Sequence, residues 1–176
     1  MTLFKNKYRV ETTRLKHWDY ASAGYYFVTV CTWNREHFFG EVVGGTMRLS
    51  AVGEIARQCW VGIPAHFDQA RLDEYIVMPN HLHGIVVIVE TRHGASLQTP
   101  TANQFGPLKR GSLQSILNAY KGGVTRICRE VPFAWQPRFY DHIVRNEEDL
   151  QHIRQYILNN PGQWEIDQDN EVGLWM

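Results

Sequence analysis

The segment around residues 72–89 constrains the fold of this chain more than any other. Two apolar runs flank the turn dipeptide Pro79-Asn80. They predict a strand over 72–78 and a partner strand over 81–89, joined by that turn. The second strand opens His81-Leu82-His83-Gly84 and continues Ile85-Val86-Val87-Ile88-Val89. Residues two apart on a strand share a face. His81 and His83 therefore project together, and Leu82 points into the core. Two adjacent imidazoles can hold a divalent metal. A polar sheet face that happens to carry two histidines gives the same pattern.

The other elements follow from local patterns. Residues 25–34 are rich in aromatic and β-branched side chains and read as a strand. Residues 41–49 read as a small hairpin turning at Gly44-Gly45. Ser50 caps a helix to about Gly62, with Val52, Ile55 and Cys59 on its inner face. Residues 91–112, rich in Gly, Thr, Pro and Gln, read as a mobile loop. A second helix covers 113–130, with Ile116, Leu117, Tyr120, Val124 and Ile127 inward, and a last strand covers 139–144. Gly122-Gly123 inside that helix cost roughly 1 kcal/mol each against alanine. They predict a close backbone approach or a break, which bears on the placement of Lys121. Setting the hairpin aside, the order is strand, helix, strand, strand, helix, strand. That is an α+β, ferredoxin-like pattern: an antiparallel sheet with helices on one face.

A final helix is added at residues 146–160. Asn146 is a good N-cap, and Glu147, Glu148 and Asp149 suit the positive end of the helix dipole. Leu150, Ile153 and Ile157 form an apolar stripe. Pro161 disfavours helical geometry in the residue before it, so the helix is expected to stop near Asn159-Asn160. Tyr156 and Asn160 lie one turn apart, which suits a tyrosine nucleophile beside an amide-oxygen ligand. A core tyrosine and a C-capping asparagine would read the same way.

Together these pieces resemble a known family. His81-Leu82-His83 resembles the His-hydrophobe-His motif of single-tyrosine transposases of the insertion-sequence 200/605 type. Tyr156-Ile157-Leu158-Asn159-Asn160-Pro161 resembles the tyrosine-helix motif of their REP-associated subgroup. So do Trp135 to Asn146, and Arg14 to Tyr20 followed by Gly24 to Thr29. The resemblance runs from about Tyr8 to about Asp167. It implies cleavage and rejoining of single-stranded, hairpin-forming DNA through a 5′-phosphotyrosine on Tyr156. It implies His81, His83 and Asn160 as ligands of Mg²⁺ or Mn²⁺, with His81 and His83 thereby part of the catalytic set. A metal-dependent hydrolytic nuclease and a non-catalytic single-strand-binding module are the alternatives. The set of His81, His83, Tyr156 and Asn160 argues against the second of these.

Length and charge set the remaining bounds. The 176 residues fit one domain, and 44% hydrophobic content fits a sizeable core. Within that domain, residues 1–20 form a basic arm and 165–176 an acidic tail. Net charge is zero, which argues mildly against a nucleic-acid partner. A local basic groove is still sufficient for a short single strand. Its candidate contacts are Arg14, Lys16, Lys121, Arg138, Arg145 and His142, the last with a structural role as its plainer reading. Trp18, Trp135 and Trp164 could stack bases, although burial in the core is their plainer reading. No apolar run reaches membrane-spanning length, and the first residues lack a signal-peptide stretch. Cys31, Cys59 and Cys128 show no paired spacing, so they are expected as reduced thiols of a cytoplasmic protein. A second copy of the chain is a candidate partner; the sequence does not decide between monomer and dimer.

Overall fold

The structure, a computed structural model, describes residues 15, 18–90 and 109–167, with side chains to 164. Strand β1 (Gly24–Cys31) leads through a 3-10 turn (Trp33–Arg35) to the hairpin β2 (Gly40–Val43) and β3 (Thr46–Leu49). Then come α1 (Ala51–Val61), the short α2 (Ile63–His66), β4 (Ala70–Met78) and β5 (His81–Ile88). The chain closes with α3 (Leu113–Ile127), β6 (Tyr140–Val144) and α4 (Glu147–Asp167). Strands β4, β5, β1 and β6 lie in that order in one sheet, and every neighbouring pair is antiparallel. This is the expected ferredoxin-like arrangement, with the hairpin inserted as a separate two-stranded sheet. The hairpin turns at Gly44 and Gly45 with φ of +57° and +72°, the double positive φ of a two-residue turn.

Alternation along the strands divides the sheet into two faces. Tyr26, Val28 and Val30 of β1 and Leu82, Val86 and Ile88 of β5 are buried against α1 and α3. The buried face of α1 is Gly53, Ala56 and Trp60. Val52, Ile55 and Cys59, expected there, are only half-buried. The reason is Trp60, fully buried, which needs the space above Gly84. A Cβ on Gly84 would stand 2.3 Å from the Trp60 ring. Helix α3 buries Ile116, Leu117, Tyr120 and Val124 as expected, and Leu113 with them. Ile127 is instead 56% exposed, and Cys128 takes the inward place. The glycine pair neither breaks α3 nor marks a tight contact. A Cβ on Gly122 would meet nothing within 4 Å, and one on Gly123 would lie 3.8 Å from Cys59 Sγ. Burying Tyr120 and Val124, at about 1.5–3 kcal/mol per large side chain, outweighs the propensity cost of both glycines.

The other face is covered by α4. Leu150 and Ile157 are buried with Phe27 and Ile85, and Ile153 packs beside them. Asn146 caps the helix, its Oδ1 accepting from Asp149 N at 2.8 Å. The helix does not stop before Pro161 but continues to Asp167. Proline removes the bond that residue 161 would make to the Ile157 carbonyl. Burial of Asn160 and Trp164 on either side of it holds the next turn in place. Of the parts named from sequence, most of the 1–20 arm, residues 91–108 of the loop and the tail from 168 lie outside the described residues. Among the described residues no helix is long and apolar enough to cross a membrane.

Candidate active site

The β1–β5 register builds the site. Thr29 pairs with His83 and Cys31 with His81, so the histidines and Thr29 share the α4 side of the sheet. The two imidazole centroids are 4.4 Å apart. His83 Nδ1 lies 2.8 Å from Thr29 Oγ1, and His81 Nδ1 lies 2.7 Å from Asn80 Oδ1. An amide oxygen only accepts, so His81 carries its proton on Nδ1 and a lone pair on Nε2. That Nε2 is buried without a hydrogen-bond partner among the described residues. Burial lowers the pKa of His83 to about 3. Burial, then the charges of His83, Arg35 and His37, lowers that of His81 well below its usual value. Both rings are neutral at pH 7, the state in which imidazole ligates a metal.

Helix α4 supplies the rest. The Tyr156 hydroxyl is 3.2 Å from His83 Nε2, and the rings are 5.1 Å apart at an edge-to-face angle. Two turns on, the Trp164 ring lies 5.9 Å from His81 and 5.6 Å from His37. Residues four apart share a helix face. Asn160, only 3% exposed, therefore stands on the turn between the one that meets His83 and the one that meets His81. Among the described residues no three His, Cys, Asp or Glu side chains converge on a point. The available donors are two neutral imidazoles and one amide. The orphaned Nε2 of His81 fits that donor set.

The other expected contacts are more scattered. Lys121 Nζ donates to the carbonyls of Gln136 (2.8 Å) and Arg138 (3.2 Å) and sits 5.7 Å from the Trp135 ring centroid. Arg138 and Arg145 are exposed, and Arg138 has a φ of +71°. His142 pairs with Phe27 across the sheet, on the α4 side, with Nε2 2.9 Å from Asp149 Oδ2. Arg14 and Lys16 lie outside the described residues. Trp135 is half-buried among Phe39, Phe133 and Tyr120, while Trp18 donates to the Tyr26 hydroxyl at 3.2 Å. Sequence reasoning missed Thr29, Asn80, Arg35 and His37. Only the register across β1 and β5 could have marked Thr29, because it lies 54 residues from its partner.

No family profile matches the chain. An uncharacterized protein of Haemophilus influenzae is 41% identical over 163 residues, which are 88% of this chain and 89% of that protein. The chain belongs to that protein's family. Among solved structures, that of a REP-associated tyrosine transposase bound to a REP hairpin is similar at TM-score 0.60. The match covers 87% of this chain and 74% of the other, at 20% identity. The family fold is thus that of the REP-associated tyrosine transposases, as the sequence motifs imply.

Proposed function

We propose that this chain is a transposase-type enzyme that cleaves and rejoins single-stranded, hairpin-forming DNA through Tyr156. The observation that carries this reading is the Tyr156 hydroxyl 3.2 Å from His83 Nε2, brought there from a separate element of the same chain. His81, His83 and Asn160 would hold one Mg²⁺ or Mn²⁺. Such an ion neutralises phosphate charge and orients the scissile group. Tyr156 is the nucleophile: its oxygen forms the new bond to phosphorus as the bond to the 3′-oxygen breaks. The 3′-oxygen leaves as a hydroxyl, and the 5′-phosphate stays on the tyrosine. The number of phosphoester bonds is unchanged, so a 3′-hydroxyl can reverse the step without ATP. Phe27 at 6.2 Å, edge-to-face, and the buried side chains Leu150 and Ile157 fix the nucleophile's helix. The hairpin bound by the structural neighbour supports the choice of DNA. The free thiols Cys31, Cys59 and Cys128 support a cytoplasmic setting.

The test is incubation with labelled hairpin-bearing single strands and Mn²⁺ or Mg²⁺, followed by a denaturing gel. Wild type is expected to give a covalent protein–DNA band that Tyr156→Phe abolishes while still binding DNA. Cleavage by wild type with no such band under trapping conditions would select the hydrolytic nuclease instead.

A further inference from the structure

We infer that the loop over residues 32–39 is a phosphate-gripping subsite for single-stranded DNA at the rim of the site, with Arg35 as its cation. The inference rests on the reading of Tyr156 as a DNA nucleophile and adds a second point of contact to it.

The loop is strained and pinned. Asn34 and Arg35 have φ of +49° and +55°, consecutive left-handed residues without a glycine. L-residues seldom adopt this conformation, and it persists only where surroundings enforce it. Here they do. Thr32 N donates to the Asn80 carbonyl at 2.9 Å, and the Thr32 hydroxyl lies between that carbonyl (2.9 Å) and the Glu36 carbonyl (2.7 Å). Trp33 N donates to Ala134 O at 2.9 Å, and Phe39 N to Pro79 O at 2.9 Å. Both ends of the loop are thus fastened to the Pro79-Asn80 turn, and Asn80 also orients His81. The loop and the histidine share one anchor. Trp164 confirms the proximity, since its ring contacts both His37 and His81.

The loop carries Arg35 and His37 beside one carboxylate, that of the exposed Glu36. Arg35 is half-buried, and among the described residues no carboxylate lies within ion-pair distance of it. Other arginines are neutralised: Arg57 by Glu54, and Arg154 by Asp73. A guanidinium with no ion pair among the described residues can take an anion, and its planar fork suits a phosphodiester. Tyr156 meets His83, whereas the loop lies on the His81 side. Arg35 would therefore hold a phosphate flanking the one attacked.

The test uses Tyr156→Phe protein, which cannot cleave, and a fluorescein-labelled hairpin oligonucleotide with a single-stranded tail. Anisotropy titrations across NaCl concentration compare it with the same protein carrying Arg35→Gln or Arg35→Lys. Arg35→Gln is expected to weaken binding about tenfold. It should also flatten the slope of log K against log salt by about 0.7, one phosphate contact to a single strand. Arg35→Lys should restore the slope. A scan replacing each tail phosphate with a neutral methylphosphonate should find one position that matters to the parent but not to Arg35→Gln. Identical scans and slopes in the two proteins would overturn the subsite. If Arg35→Gln does not fold, as judged by circular dichroism, the scan with Arg35→Lys decides. That variant must respond at the same phosphate, and a response elsewhere overturns the proposal. A wild type that forms the covalent band while the scans are identical sinks the subsite alone. A wild type with no DNA binding and no band sinks both readings.

Discussion

His83 can offer a lone pair at Nε2 only if its proton sits on Nδ1, and the Thr29 hydroxyl can accept a hydrogen bond from that proton. Thr29 is 3% exposed, and its Oγ1 lies 2.8 Å from the ring nitrogen. Thr29→Val keeps the shape but leaves a buried N–H without an acceptor, at about 1–3 kcal/mol. The ring then gains by moving its proton to Nε2, where it blocks ligation. Outer-shell partners of this kind are worth about 10–100-fold in metal affinity. We expect Thr29→Val to weaken Mn²⁺ binding by that factor in calorimetry, and Thr29→Ser to restore it. Equal affinity in all three proteins would remove Thr29 from the site. Gly84 makes a second point at this scale. It follows His83 and faces the opposite side of the sheet, where a methyl group would stand 2.3 Å from Trp60. Gly84→Ala should cost about 1–3 kcal/mol in denaturant unfolding, and Trp60→Phe in the same protein should recover part of it.

At the level of elements, what matters is how α4 is held on the sheet. Its apolar stripe is short, and one cross-element ion pair adds to it. Arg154 Nε and Nη2 donate to the two Asp73 carboxylate oxygens at 2.8 and 2.5 Å, both side chains being largely buried. Asp73 sits in β4 at the point where its register with β5 shifts. Arg154 is two residues from Tyr156, so the pair fixes the rotation of the helix that carries Tyr156. Its charge is thereby committed to Asp73. The hydrogen bond to Arg154 holds the Asp73 carboxyl below its ordinary value of 3.8. A carboxyl with a depressed folded pKa stabilises the fold above its unfolded pKa. That contribution is lost as pH falls from about 4 through the folded value. Asp73→Asn should therefore lower stability at pH 7. It should also show less further loss than wild type between pH 4 and pH 2 in thermal melts. Parallel acid limbs for the two proteins would deny the pair its role.

For the whole molecule, the two strands 72–78 and 81–89 were legible because their apolar runs and their turn are local. The sheet order followed from connection rules, since two helices must return the chain to the same sheet. What sequence could not give was set by volume and by distance in the chain. Trp60 turned the inner face of α1 by one residue because Gly84, far along the chain, left room for it. Trp164 carried α4 through Pro161 by finding His81 and His37. The histidine pair and Tyr156 were visible as motifs, but their meeting was not, because 73 residues separate Tyr156 from His83. That meeting has a consequence for assembly. Tyr156 reaches His83 of its own chain, so one copy holds His81, His83, Tyr156 and Asn160 together. Two variants expected to be inactive, His83→Ala and Tyr156→Phe, distinguish this from an arrangement shared between copies. If each copy completed its site with a partner's tyrosine, mixed dimers would regain one intact site. We expect the mixture to stay inactive in the covalent-band assay, and wild type to keep the same activity per chain at concentrations where sedimentation shows only monomer. Activity recovered on mixing would mean that α4 exchanges between copies and that the contact seen within one chain is not the reacting one.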